Sequence, residues 1–179
     1  SFPITESLSL RLQDALDEDL FPSGDITTDA VFSENARGTA TVVAKENGVI
    51  CGAEIFAEVF NLLGGVKVSI LVTDGSRVKK GEVVINLSGT IRSLLAGERT
   101  ALNLLHHMSG IASMTALYVE AAAGKILVCD TRKTTPLWRD LEKYAVTCGG
   151  GTNHRMGLYD MVMLKDTHAD GAGGVARAL

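Results

Sequence analysis

Cysteine is scarce in this chain of 179 residues: Cys51, Cys129 and Cys148 are odd in number, widely spaced and without a C-x-x-C pair. That pattern fits reduced thiols better than a disulfide framework or a zinc site. A basic surplus is also missing. Seventeen Lys and Arg stand against 21 Asp and Glu, giving a net charge of −4, which argues against a general nucleic-acid or membrane-surface binder. No apolar run is long enough to span a bilayer, and no start resembles a secretory leader, so the expected compartment is the cytoplasm. Repeats and low-complexity tracts are absent as well. What remains is 46% hydrophobic with mean hydropathy +0.19, enough to bury a sizeable core.

The first part of the chain mixes helix and strand. In "TESLSLRLQDALDED", Leu8, Leu12, Ala15 and Leu16 recur at helical spacing behind a Thr5 cap, and "FPSGD" ends the helix. The run Asp17, Glu18, Asp19 points in three directions around such a helix and reads as a solvated end. "TATVVAKENGVICG" predicts a hairpin turning at Asn47-Gly48, followed by the helix "AEIFAEVFNLLG" and strands "VKVSILV" and "GEVVINLSG". The stretch "DGSRVKKGEVVINLSG" has the look of a biotinyl or lipoyl hairpin, but no lysine occupies the tight turn those carriers modify. It reads as scaffold.

From Ile91 the pattern changes to long helices and continuous apolar runs. "IRSLLAGERTALNLLHHM" carries a stripe of Leu94, Ala101, Leu105 and Met108, widened by Leu95 and Leu102. Arg92, Ala96, Arg99, Asn103 and His106 form a second, polar stripe, which by pattern alone is a water-facing side. After a further helix, "SMTALYVEAA", the run "KILVCD" has the composition of a parallel strand covered on both faces. A helix is expected from about Pro136 to Cys148 with Leu137, Leu141, Tyr144 and Ala145 inward. "GGG" stops it, and "LYDMVMLKD" supplies a second buried strand. Strand, helix and strand predict a βαβ unit with adjacent parallel strands.

In such units ligands sit at the carboxyl ends of the strands. Thr131, Arg132 and Lys133 leave one strand, Lys165 leaves the next, and His154 and Arg155 lie on the approach to it. Singly, each could be ordinary: Arg132 and Lys133 as surface charges, Arg155 as a partner of Asp160, His154 as a loop-closing hydrogen bonder. Together, like charges on one rim of an acidic protein repel unless an anion binds there. Arginine suits planar carboxylates through its bidentate fork, and lysine offers a compact charge.

The blocks "GERTALNLLHHMSGIAS", "DTRKTTP", "EKYAVTCGGGTNHR" and "GLYDMVMLKDTH" resemble, in order and spacing, the quinolinate phosphoribosyltransferase family, and "DEDLFPSGDITTDAVF" is similar too. The resemblance implies an α/β fold: an N-terminal α/β open-faced sandwich domain over residues 1–110, then the first part of an incomplete α/β barrel over 111–179. It implies that Thr131, Arg132, Lys133, His154, Arg155 and Lys165 bind substrate, with Lys133 and Lys165 catalytic. Arg99 would reach into the partner's site across a homodimer interface. The implied reaction joins quinolinate to phosphoribosyl pyrophosphate with magnesium, giving nicotinate mononucleotide, pyrophosphate and carbon dioxide in NAD biosynthesis.

A barrel of this general type needs roughly 250 residues, and the resemblance implies that the magnesium ligands and the phosphate loops lie in later strands, so none is named. "KDTH" replaces the more usual "KDNH", and the following "ADGAGG" is glycine-rich for a helix start. Two other readings stay open: a related phosphoribosyltransferase-like protein of different specificity, and a non-catalytic fragment that binds dicarboxylates or mediates dimerisation. Stoichiometric release of nicotinate mononucleotide and carbon dioxide separates the first reading from both.

Overall fold

The computed structural model describes residues 2–179. Helix α1 (Glu6–Leu20) begins where Thr5 accepts a hydrogen bond from the Leu8 amide at 3.2 Å. Leu8, Leu12 and Leu16 are wholly buried, each contributing about 1.5–3 kcal/mol of burial, and Asp17, Glu18 and Asp19 face solvent. A short helix α2 (Ile26–Val31) follows, capped by Asp25.

Strands β1 (Arg37–Val43), β2 (Gly48–Val49), β3 (Val66–Ile70), β4 (Arg77–Val78) and β5 (Val83–Thr90) make two sheets, with helix α3 (Ala53–Leu63) between β2 and β3. The larger sheet is antiparallel in the order β1-β5-β3. In register, Ala40, Leu87 and Val68 align on one face, while Thr41, Asn86 and Ser69 align on the other. Helix α3 and the long α4 (Ile91–Ala122) pack against the sheet, and α1 packs on both helices, in one core that includes Ile55, Phe56, Val59, Leu94, Ala101 and Met108. Thr41, Ser69 and Asn86 are left to solvent.

Two expectations for this part are corrected. Asn47-Gly48 does not join a hairpin: β1 pairs with β5, and β2 pairs with β4, Gly48 opposite Val78. Instead, Asn47 accepts from the Lys80 amide at 2.9 Å. The two helices expected around Ser109 and Gly110 are one 32-residue helix. Ser109 and Ser113 do not break it because their hydroxyls bond outward, to the backbone of Cys51 and Val49.

The remainder is α5 (Arg139–Cys148), α6 (Asp166–Ala172) and α7 (Val175–Ala178), joined by extended segments. Helix α5 starts three residues later than expected; Leu137 has φ +69° and is exposed, so it is not part of the inner face. The runs "KILVCD" and "LYDMVMLKD" are not buried strands: Ile126, Leu127 and Val162 are 72%, 79% and 90% exposed. A strand exists by pairing, and the pairing found here is one parallel bridge from Cys129 to Thr152 rather than to the second run. Gly171 lies within α6, and Gly173 ends the helix in the left-handed region, φ +79°.

Candidate active site

A cleft of about 340 Å³ is lined by Asp130, Thr131, Arg132, Lys133, His154, Arg155, Met163 and Lys165. Six of the seven residues singled out in the sequence therefore meet; Arg99 does not, being exposed on α4 outside the cleft. Two segments supply the near wall. Cys129 N-terminal to one and Thr152 N-terminal to the other are bridged, so the residues that follow, 130–133 and 153–155, emerge side by side.

A buried ion pair that the sequence reading missed fixes this arrangement. Lys143 of α5, its side chain 1% exposed, donates to Asp130, 6% exposed. The same carboxylate accepts the His154 amide at 2.8 Å. Asn153, its amide nitrogen turned inward, donates to Asp130 Oδ2 at 2.6 Å and to the Lys143 carbonyl at 2.8 Å. Removing either charge would leave the other desolvated and unpaired. Both residues stand inside the conspicuous blocks "DTRKTTP" and "EKYAVTCGGGTNHR". Asp130 is the acid beside a group of cations, which was the available signal; Lys143 lies off the apolar stripe of its helix and gave none.

The glycine triplet has a packing role besides ending α5. A Cβ at Gly149 would stand 2.3 Å from the Ala112 carbonyl oxygen, and one at Gly151 would stand 2.7 Å from Val146. Gly150 has φ +86°. The loop that delivers His154 and Arg155 thus lies against α4 more closely than any side chain allows.

Within the cleft the cations remain available. The Arg132 Nε atom is buried without an acceptor among the described residues. Arg155, 7% exposed, holds the Met161 carbonyl through Nη1 at 3.1 Å. Its expected partner Asp160 instead accepts the amides of Met156 and Gly157 at 2.6 and 3.0 Å, which hold its carboxyl below the usual range. His154 Nδ1 accepts the Arg155 amide at 2.7 Å, so the ring is oriented by its own loop. Thr131 Oγ1 accepts the Lys133 amide at 3.1 Å, shaping the turn that exposes Lys133. Lys165 precedes α6, where its amide donates to His168 Nδ1 at 3.1 Å. Thr167 makes no part of that contact, its amide bonding Asp166.

Helix α5 is seated on the N-terminal part of the chain by polar contacts around buried Leu141 and Ala145. Arg11 grips Asp140 at 2.6 Å and lies over the Trp138 ring. His107 of α4 bonds Glu142 at 2.8 Å, and the other Glu142 oxygen accepts the Thr135 amide at 3.2 Å. Burial pushes the Glu142 carboxyl up, but these hydrogen bonds outweigh it and hold the group below its ordinary value.

Geometry of this kind, four cations around a small cleft with one fully paired acid, suits a compact polyanion. Comparison with known proteins gives it a context. The chain is 48% identical over 158 residues to a probable nicotinate-nucleotide pyrophosphorylase (carboxylating) of Bacillus subtilis, covering 87% of this chain and 54% of that protein. It is 44% identical over 170 residues to the Mycobacterium leprae nicotinate-nucleotide pyrophosphorylase (carboxylating), covering 92% and 60%. The structure of NadC from Streptococcus pyogenes superposes with a TM-score of 0.93 at 45% identity, covering 99% of this chain and 64% of that one. The chain thus spans a little over half the length of these curated relatives, with an α/β fold in common with the solved structure. Residues 25–109 match the N-terminal domain of quinolinate phosphoribosyl transferase and residues 111–179 match its C-terminal domain, and on that basis the chain belongs to the quinolinate phosphoribosyl transferase family.

Proposed function

We propose that this chain carries the quinolinate-binding half of an enzyme that transfers the phosphoribosyl group of phosphoribosyl pyrophosphate to quinolinate with loss of carbon dioxide, in NAD biosynthesis. The observation that carries the proposal is the convergence of Arg132, Lys133, Arg155 and Lys165 on one cleft, with Arg132 Nε lacking an acceptor. Quinolinate has two adjacent carboxylates, and fixed cations are needed to desolvate both while aiming the ring nitrogen at the ribose. Arg132 and Arg155 clamp carboxylates, Lys133 and Lys165 neutralise substrate charge, and His154 and Thr131 hold the loop in shape.

The nitrogen lone pair forms the bond to the anomeric carbon as the carbon–oxygen bond to pyrophosphate breaks with its electrons. Preorganised cations stabilise the charge that grows on the leaving group. The ring nitrogen is then positive, which favours heterolysis of the adjacent carbon–carboxylate bond; carbon dioxide departs and the ring carbon takes a proton. No nucleophilic side chain is required. Magnesium does not fit the cleft: Asp130 is the carboxylate that lines it, and its charge is already neutralised by Lys143 in a buried ion pair.

The proposal extends to a homodimer, with the division near residue 110 separating a sandwich domain from the start of a barrel. Exposed Arg99 lies beside Leu95, Glu98 and Leu102, which border a groove of about 420 Å³ against Val42 and Leu87. A second subunit covering that groove would receive Arg99 in its own site. Calorimetry of the chain with quinolinate and with nicotinate tests the clamp. Quinolinate should bind roughly 5- to 150-fold more tightly, since losing a carboxylate leaves cations unpaired at about 1–3 kcal/mol; equal affinity refutes the clamp. Stoichiometric nicotinate mononucleotide and carbon dioxide from quinolinate and phosphoribosyl pyrophosphate tests the reaction itself.

A further inference from the structure

The sequence spacing of the cysteines conceals a pair. Cys51, in the turn from β2 to α3, and Cys148, the last residue of α5, come together with Asp74 from the loop between β3 and β4. One sulfur or oxygen atom of each lies within 4.8 Å of the others. The three are held from outside the cluster. Cys51 is wholly buried, and its backbone is clamped on both sides by Ser109 Oγ at 3.0 and 3.1 Å. Asp74 Oδ1 accepts the amides of Gly52 and Ala53, both at 2.9 Å, and Oδ2 accepts the Tyr144 hydroxyl at 3.1 Å. Asp74 and Tyr144 also line a cleft of about 280 Å³, with Glu54 at its side.

A hydrogen bond from Cys51 pulls the Cys148 thiol down to about 7, against burial and the neighbouring Asp74 charge. Burial and the same sulfur contact push Cys51 up. Two sulfurs and a carboxylate oxygen converge on one half-buried space, and among the described residues no Lys, Arg or His side chain forms an ion pair with Asp74.

We infer that Cys51, Asp74 and Cys148 form a binding site for a thiophilic divalent cation of the zinc class, with the Tyr144 hydroxyl or a water in the fourth position. Two sulfurs and a carboxylate suit zinc, whereas magnesium and calcium prefer oxygen throughout. Zinc–sulfur bonds of about 2.3 Å at tetrahedral angles put two sulfurs about 3.8 Å apart, so the cluster closes by about 1 Å at most. Both cysteines ligate as thiolates and their two protons pass to solvent, making binding tighter as pH rises. The ion would tie the β2–α3 turn to the end of α5, the helix whose Lys143 anchors the cationic cleft.

The test uses the whole chain, fully reduced and stripped of metal, with no quinolinate present, so its outcome is independent of the proposed reaction. Zinc is titrated against a chromophoric chelator, and cobalt is added to a second sample as a spectroscopic probe. One zinc per chain is expected, and bound cobalt should show thiolate charge-transfer absorption with the intense visible bands of a tetrahedral site. Cys148→Ser, which alters a half-buried side chain, and Asp74→Asn should each weaken zinc by on the order of 100-fold, with circular dichroism verifying the fold; Cys129→Ser should change nothing. Unaltered zinc affinity in Cys148→Ser, or cobalt without thiolate absorption, overturns the site. So does a reduced chain that binds no zinc but forms a Cys51–Cys148 disulfide with peroxide, since that result makes the pair a redox cross-link.

Discussion

From Phe2 to the middle of α4 the chain holds its shape by apolar burial, with Leu8, Leu12, Leu16, Ile55 and Val59 all at 0% exposure. From Lys125 to Lys165 large apolar side chains lie open, and position is set by polar contacts: Lys143 to Asp130, Asp130 to His154, Glu142 to Thr135. Apolar packing is non-directional and tolerates small shifts, whereas a buried carboxylate accepting from several donors fixes angles as well as distances. The first region supplies stability. The second supplies geometry where the four cations of the cleft gather.

The comparison can be broken most sharply at Lys143. Lys143→Ala should cost about 3–5 kcal/mol by leaving Asp130 buried and unpaired. Hydrogen exchange should then rise over residues 129–133 and 152–155 while α1 stays protected. Equal loosening of α1 would show that the two regions are not held separately. Leu12→Ala should cost about 2–5 kcal/mol and lower the melting temperature, yet leave quinolinate affinity unchanged in calorimetry below the transition. Arg132→Lys keeps the charge and loses the fork. Quinolinate affinity should fall roughly 10-fold, about 1.4 kcal/mol, with the melting temperature unmoved; a wild-type titration would make Arg132 a surface charge.

The smallest effect concerns the seam between the regions. Burial raises the Asp140 and Glu142 carboxyls, but Arg11 on one side and Thr135 with His107 on the other more than offset it, so both hold their protons less tightly folded than unfolded. Their contribution is complete above the unfolded values near about 4 and is lost as pH falls through the folded ones. Between about pH 5 and 3 the melting temperature should decline, and Glu142→Gln should flatten that decline. A variant with the same acid slope as the parent would remove Glu142 from the seam.

Elements governed by local pattern were legible in the sequence. Helix α1 announces itself through Thr5 and the leucine spacing, and α3 through its apolar run between glycines. Pairing was less legible: β1 finds β5 about 45 residues away, a choice made by the shared buried face and not by the local Asn47-Gly48 signal. Ser109 looked like an interruption because its use, bonding Cys51, is tertiary. In the site, adjacent cations in short motifs stood out and the structure places them on one cleft. Asp130 with Lys143, and Cys51 with Cys148, did not stand out, since contacts between residues 13 and 97 positions apart impose no period on the chain.

The Lys143–Asp130 pair also divides the cleft by its response to dissolved salt. With side chains at 1% and 6% exposure, the pair is shielded from counter-ions, whereas Lys133 and Lys165 are exposed and act on an approaching anion through water. At physiological ionic strength such attraction fades beyond about 8 Å. Added electrolyte should therefore slow the capture of a charged substrate while leaving the loop that receives it in place. Ionic strength thus separates recruitment from reception in one molecule, without any substitution.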